Sequence, residues 1–381
     1  MEPSGTNNQY WLPHAQLCYV PADVVSSTSK ALCLKYEGLQ ETVMLEDINA
    51  VVRSTITRDY SNLEQLEDFS EPAILFQIRQ RFLRNFIYTY VSNILIAVNP
   101  YQLLRRHDGQ SIYGTNAVLE YEQHLAHGNI NTSEPHVFAV ASRAFLGMCT
   151  TGKRQSVLIS GESGAGKTET TKKVLFFLAS LVREKEETNL KTDNDSNNTN
   201  TGETKDTIED KIMRSNPILE SFGNAQTVMN DNSSRFGKWM EIFFDQIPLK
   251  QNRGKMIKSC GNHGWSMLGG SITSYILEKS RVSHQMPGER NFHIFYMLLE
   301  CLSNEQRTMF SLPMNDQNYQ HHYVQKSGFE ILKNIRDEQK EYDDMIHAFH
   351  TLNFDNNDIN AFFAAVAAII HLGDITFTLD K

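Results

Sequence analysis

Eight residues constrain this chain more than any others. Gly161-Glu162-Ser163-Gly164-Ala165-Gly166-Lys167-Thr168 directly follow the apolar run Val157-Leu158-Ile159. They satisfy the phosphate-loop pattern G-x-x-x-x-G-K-[ST] at every required position. Three glycines and a small alanine let the backbone curl so that its N–H groups point at phosphate oxygens. A helix starting near Lys167 adds its positive N-terminal end to the same anion. In this pattern Lys167 reaches the β- and γ-phosphates, and the Thr168 hydroxyl holds Mg²⁺. The order strand, glycine loop, helix therefore predicts a nucleoside triphosphate site.

A chain of 381 residues is too long for one simple core and implies two or more subdomains. Its net charge of −9 argues against broad nucleic-acid binding, which needs a basic face. The five cysteines, Cys18, Cys33, Cys149, Cys260 and Cys301, are scattered and odd in number, so no disulfide framework is expected and a reducing cytoplasm is the natural setting. Cys260 and His263 form a C-x-x-H, but no second pair stands at finger spacing, which argues against zinc. The polar start Met1–Gln9 is no signal peptide, and the longest apolar stretch, Ala361–Ile370, is too short to span a bilayer.

Along the chain, residues 10–52 read as a small β module, with Val-, Leu- and Tyr-rich segments separated by Pro, Gly and Asp. Residues 62–90 read as helical. Asn93–Val98 reads as a buried central strand that stops at Asn99-Pro100. Residues 134–150 predict a helix with its proline at the start. The polar stretch 183–207 lacks apolar periodicity and is expected to be a flexible surface loop. Lys238–Asp245 and Ser271–Leu277 read as strands, separated by a connection long for a hairpin. Arg290–Leu302, 329–350 and Ala361–Leu372 read as helices, and Asp374–Leu379 alternates apolar and polar residues.

About sixty residues after the glycine loop comes Asn230-Asp231-Asn232-Ser233-Ser234-Arg235-Phe236-Gly237-Lys238. A triphosphate hydrolase needs a segment that closes over the γ-phosphate and brings a hydroxyl to Mg²⁺, polar groups to the attacking water and often an Arg for developing charge. Alone this run is a polar turn before a strand; beside a phosphate loop it is the second part of the site. A third part, an Asp ending an apolar strand, has two candidates, Asp245 and Asp374. The first opens a loop after the switch-like strand and the second follows a helical stretch, so the third part is read as absent.

These residues resemble the motor head of the myosins. Gly161–Thr168 is similar to that family's phosphate loop, and Asn216–Ala225 leading into Asn230–Lys238 to its first switch. Tyr275–Val282 with Gly288–Tyr296 resembles its transducer strand and following helix, and Ile87–Tyr101 the segment before its purine-binding loop. The resemblance covers nearly the whole chain. It implies an α/β P-loop NTPase fold: a central mixed, mostly parallel sheet flanked by helices, preceded by an SH3-like barrel over residues 10–52, with 60–381 as part of the motor domain. It also implies ATP and Mg²⁺ as cofactors and site roles residue by residue. Asn99, Pro100, Tyr101 and Tyr113 would lie by the adenine. Gly161, Glu162, Ser163, Gly164, Ala165, Gly166 and Lys167 would cradle the phosphates, and Thr168 and Ser234 would ligate Mg²⁺. Asn230 and Ser233 would contact the γ-phosphate and the attacking water, and Arg235 would pair with a Glu of the second switch.

Three departures stand out. The second switch, most actin-contacting surfaces, converter and lever arm of such heads lie past Lys381, so Arg235 is expected to lack its partner, the sheet to be incomplete, and light chains to belong to a longer parent. Leu103–Ser111 exceeds the usual purine-loop spacing, and Ile247–Met267 enlarges a usually short connection. The implied function is the N-terminal part of a cytoskeletal motor that hydrolyses Mg-ATP to move along actin, with weak or no hydrolysis by this chain itself. The alternative is a truncated nucleotide-binding or regulatory fragment. Kinesins also carry a Ser-Ser-Arg switch, but Phe236-Gly237-Lys238 and the Glu278–Val282 run disfavour them.

Overall fold

The computed structural model describes residues 9–28, 31–36, 39–44, 53–54, 58–67, 69–127, 134–182, 211–212, 214–247, 264–314, 321–324 and 337–378. The predicted flexible loop 183–207, the Cys260/His263 pair and residues 248–263 lie outside them. Two compact units divide at Leu158 and Ile159.

In the first unit, strands β1 (Gln9–His14), β2 (Cys18–Ser27), β3 (Ala31–Tyr36), β4 (Leu39–Met44) and β5 (Arg53–Ser54) form one antiparallel sheet in the order β4-β3-β2-β1-β5. Leu12, Val20, Ala22 and Leu34 form its small core. Trp11 is fully buried and lies 5.1 Å, centroid to centroid, from Phe76 on helix α1 (Glu71–Leu83). Of the helical stretch predicted over 62–90, only α1 and a short 3₁₀ turn at Leu63–Gln65 are helical. The remainder enters strand β6 (Tyr88–Val91), which pairs antiparallel with β7 (Ile94–Ala97).

That hairpin corrects the prediction of a buried central strand. Only Ser92 and Asn93 join the two strands, with Ser92 at φ 55°, and a two-residue connection can produce only antiparallel pairing. As one arm of a hairpin, β7 keeps Ile94 68% exposed. Helices α2 (Thr115–His127) and α3 (Val137–Thr151) complete the unit. The His136 side chain caps α3 by accepting from Phe138 N, and Gly152 closes it in the left-handed region at φ 66°.

In the second unit, helix α4 (Lys167–Val182) is followed by α5 (Asn216–Gly223), strands β8 (Asn224–Thr227), β9 (Asn230–Ser234), β10 (Gly237–Ile247) and β11 (Gly264–Tyr275), and helices α6 (His293–Cys301), α7 (Asn304–Met309), α8 (Glu338–Thr351) and α9 (Asn356–Gly373). β10 and β11 pair from Gly237 with Tyr275 to Ile247 with Gly264, with a bulge at Phe243/Phe244. Ile247 and Gly264–Met267, read from the sequence as part of an enlarged connection, are therefore paired strand residues. α4 packs beside β11. The core lies where α6, α8 and α9 meet, around Leu298, Met345, Phe363 and Ile370. Burying each such side chain contributes roughly 1.5–3 kcal/mol. Arg290 ties α8 to the segment before α6: its Nη1 lies 2.7 Å from Glu338 Oε1, and its guanidinium stacks 3.8 Å from the Tyr296 ring centroid. The alternating run after Asp374 is irregular rather than a strand over 375–378.

Among the described residues the expected mostly parallel central sheet is not formed. Every ladder among the described strands is antiparallel, and the one parallel contact is an isolated bridge between Asn62 and Tyr90. The run Val157–Ile159 is irregular, and Leu158 is 92% exposed. Three apolar residues become a central strand only when strands pair with them on both sides, and among the described residues none does.

Candidate functional site

The phosphate loop is shaped by glycine where it turns. Gly164 and Gly166 stand at φ 79° and 92°, a region costly for any residue bearing a Cβ. α4 begins at Lys167, and Thr170 N donates to Gly166 O at 2.8 Å. Lys167 Nζ donates back to the carbonyls of Gly161 and Glu162, at 2.7 and 2.8 Å. The ammonium thus lies across the mouth of the loop, while Thr168 in the first helical turn and Ala165 in the loop are exposed.

The predicted switch is a hairpin of β8 and β9 around the turn Val228-Met229, and it reaches the phosphate loop through hydroxyls. Ser163 Oγ donates to Ser233 Oγ at 2.8 Å, and Asn230 Nδ2 donates to Ser163 Oγ at 3.2 Å. Ser233 is fully buried, and Arg235 Nη1 also donates to its Oγ, at 3.2 Å. Asn230 and Ser233 are therefore bonded to Ser163 of the loop, and Arg235 reaches it through Ser233. Ser234 is turned elsewhere: it is exposed, and its Oγ donates to Phe236 O at 3.1 Å.

Neighbouring residues hold this hairpin in place. Asn232 donates to Glu220 Oε2 at 3.0 Å and receives Asn224 Nδ2 at 3.0 Å, with His293 Nε2 at 3.2 Å. Arg235 N donates to Gly223 O at 2.9 Å. The Phe236 ring lies so close over Gly223 that a Cβ built there would collide with it.

Arg235 pairs with a carboxylate that the sequence reading did not assign to it, one outside the second switch. Arg235 Nε lies 2.5 Å from Glu278 Oε2, and Arg281 Nε reaches the same oxygen at 2.7 Å. Burial works to raise the Glu278 pKa, but the hydrogen bonds from Arg235 and Arg281 outweigh it and hold the carboxyl below its ordinary value. The Glu278/Arg281 spacing of three is visible in the sequence; the 43-residue reach to Arg235 is not. The two candidates for a third carboxylate are otherwise engaged. Asp245 is a β10 residue that accepts from Gln246 N at 2.8 Å, and Asp374 Oδ2 lies 2.6 Å from His321 Nδ1.

The residues assigned to the base belong to the first unit. Asn99 Oδ1 accepts from Tyr101 N at 3.1 Å, which turns the chain at Pro100 and leaves Tyr101 at φ 50° and 81% exposed. The long segment after it folds on itself through the bridge Arg105–Ser111 and through Arg106 N to Gln110 O at 2.7 Å. It delivers Tyr113, whose hydroxyl lies 2.8 Å from that of Tyr88. Tyr113 joins Tyr121, His136 and Phe138, with Tyr121 stacked on His136 at 5.0 Å. Burial drives the His136 pKa down to about 3 and raises those of the Tyr88 and Tyr121 hydroxyls.

Among the described residues no group of His, Cys, Asp and Glu is arranged to hold a metal, and no helix is long and apolar enough to cross a membrane. The model of the myosin head (motor domain) matches residues 58–381. The chain is 37% identical over 317 residues to unconventional myosin-Ic of Aquarana catesbeiana, covering 83% of this chain and 26% of that one. It is 33% identical over 372 residues to myosin type-2 heavy chain 2 of Schizosaccharomyces pombe, covering 97% of this chain and 15% of that one. Unconventional myosin-XV of Homo sapiens is 37% identical over 318 residues, covering 83% of this chain and 8% of its own. The chain thus spans about a quarter or less of the length of these relatives. It belongs to the myosin head (motor domain) family.

Proposed function

We propose that this chain is the nucleotide-handling part of an actin-based motor that binds and hydrolyses Mg-ATP. The observation that carries the reading is the Ser163–Ser233 hydrogen bond of 2.8 Å, which joins a phosphate loop to a switch segment bearing Asn230 and Arg235. The residues present fit the group. The positive-φ glycines bend the loop, the first backbone N–H groups of α4 have no acceptor within the helix, and the hydroxyls of Thr168 and Ser234 are hard oxygen donors of the kind Mg²⁺ prefers. When bound, Mg-ATP supplies the phosphoryl group whose transfer to water releases free energy. Lys167 would exchange its two carbonyl partners for phosphate oxygens, and Thr168 and Ser234 would be the residues to offer hydroxyls to the metal. Asn230 and Ser233 orient the water, while Arg235 balances charge that develops on the phosphoryl oxygens. Tyr101 and Tyr113, with Asn99 and Pro100, receive the base. Residues 10–52 serve as the small β module that precedes the motor domain at 60–381, a reading supported by the antiparallel order of β1–β5.

Actin is the partner this reading assigns, and the setting is the cytoplasmic cytoskeleton. The decisive experiment is a titration of the chain with Mg-ATP, using Lys167→Ala as the comparison. The expected result is at least a tenfold loss of affinity in the variant. Equal binding by both proteins, or none by either, overturns the reading.

A further inference from the structure

We propose that Glu278 is a positioning residue for the switch: it fixes Arg235, and through Arg235 it fixes Ser233. The inference rests on the nucleotide-handling reading for its functional consequence, while the placement itself is measurable without nucleotide.

Glu278 grips residue 235 at two points. Its backbone N–H donates to Arg235 O at 3.0 Å, and its Oε2 accepts from Arg235 Nε at 2.5 Å. The backbone bond holds the two segments at a fixed separation, and the bond at Nε orients the guanidinium. The remaining Nη1 then points at Ser233 Oγ, 3.2 Å away, and Ser233 receives Ser163 of the phosphate loop.

Glu278 is itself anchored. Arg281, whose side chain is 4% exposed, donates to the same Oε2 at 2.7 Å. Arg281 is fixed in turn by Glu289 Oε2 at 2.9 Å and by Arg290 O at 3.0 Å. Two arginines and two carboxylates thus alternate from Glu289 to Arg235 with balanced charge. Buried Arg281 is the fixed post, and half-buried Glu278 transmits its position to the switch. Charge-assisted hydrogen bonds of this kind are stronger and more directional than neutral ones. A surface pair between Arg235 and Glu278 alone would contribute little; the shared, anchored carboxylate makes the geometry specific.

The competing explanation is that Glu278 serves only Arg281 and the local chain fold. Two substitutions separate the two accounts. Glu278→Gln removes the charge from both arginines, whereas Glu289→Gln loosens Arg281 and leaves the Arg235 contact in place. Glu278→Asp restores a carboxylate.

The experiment has two parts on the full chain. Amide hydrogen exchange without nucleotide is expected to quicken about tenfold over residues 230–235 in Glu278→Gln, to return toward the parent rate in Glu278→Asp, and to quicken clearly less there in Glu289→Gln, where Arg281 keeps its bond to Arg290 O. Affinities for Mg-ADP and for a non-hydrolysable Mg-ATP analogue form the second part. In Glu278→Gln the triphosphate analogue is expected to lose about tenfold and the diphosphate less than twofold, because only the third phosphate meets Ser233 and Arg235. Unchanged exchange in Glu278→Gln, or equal quickening in Glu289→Gln, overturns the proposal. So does an equal loss for both nucleotides, or a gain for the triphosphate, which would make Glu278 a counter-charge instead. If the parent chain binds neither nucleotide, the nucleotide reading fails and the exchange result alone decides the placement.

Discussion

The aromatic cluster around His136 and the hydroxyl network around Ser233 both gather polar groups at close range, yet different forces hold them. His136 is stacked on Tyr121 and flanked by Phe138 at 4.6 Å, and burial, helped by the charge of Arg106, keeps its imidazole neutral. Ser233 is held by short hydrogen bonds from Ser163 and Arg235, groups that remain partly open to solvent. In the first region position follows from packing, which is strong and non-directional. In the second it follows from directional bonds with modest net worth, of about 0.5–1.5 kcal/mol each. A packed wall and a hydrogen-bonded contact are thus made from different kinds of side chain.

The largest expected effect that would break this contrast concerns Phe138, which is fully buried. Phe138→Ala should cost its unit about 3–5 kcal/mol in denaturant unfolding, whereas Ser163→Ala should cost no more than about 1 kcal/mol. Comparable losses would mean that packing holds both regions. The next effect is one of pH. The folded His136 pKa of about 3 lies below the usual value near 6.5, so the unfolded chain binds the proton first as pH falls. The stability contributed by the neutral ring is complete above about pH 6.5 and is lost on acidification toward pH 3, with a slope of up to about 1.4 kcal/mol per pH unit. His136→Asn retains a capping acceptor for Phe138 N and should flatten that acid limb in a pH series of thermal melts. An unaltered limb would place the titration elsewhere. The smallest effect calibrates both. Asp355 caps α9 in a reciprocal capping box with Asp358, and Asp355→Ala should cost about 1 kcal/mol by the same unfolding assay.

How much could be read beforehand follows the same division. α3, α6 and α9 were legible because their apolar spacing is helical, and α3 and α9 also carry local caps, although α9 begins five residues before the apolar run that announces it. The bend of the loop at Gly164 and Gly166 and the grouping of Asn230, Ser233 and Arg235 were legible because each rests on a short continuous run of sequence. The strand near Asn93 was misread, since a run of four apolar residues looks the same in a buried central strand and in an exposed hairpin arm. The two-residue turn at Ser92-Asn93 decides between them. The region around Val157 was misread for a related reason: pairing is a property of neighbouring strands and not of the segment itself. Glu278 was overlooked as the partner of Arg235 because ion pairs formed across 43 residues leave no periodic trace.

One glycine sets a limit on how this switch can vary. Because the Phe236 ring rests directly on Gly223, and the Gly223 carbonyl receives Arg235 N, helix end and switch meet with no clearance between them. In mechanical terms the contact is a stop as well as a bearing. Closer approach of the switch to α5 is opposed by the Phe236 ring against Gly223, where a Cβ would collide with the ring carbons. Even the single methyl of alanine at position 223 would move the stop outward and shift the rest position of every group the switch carries.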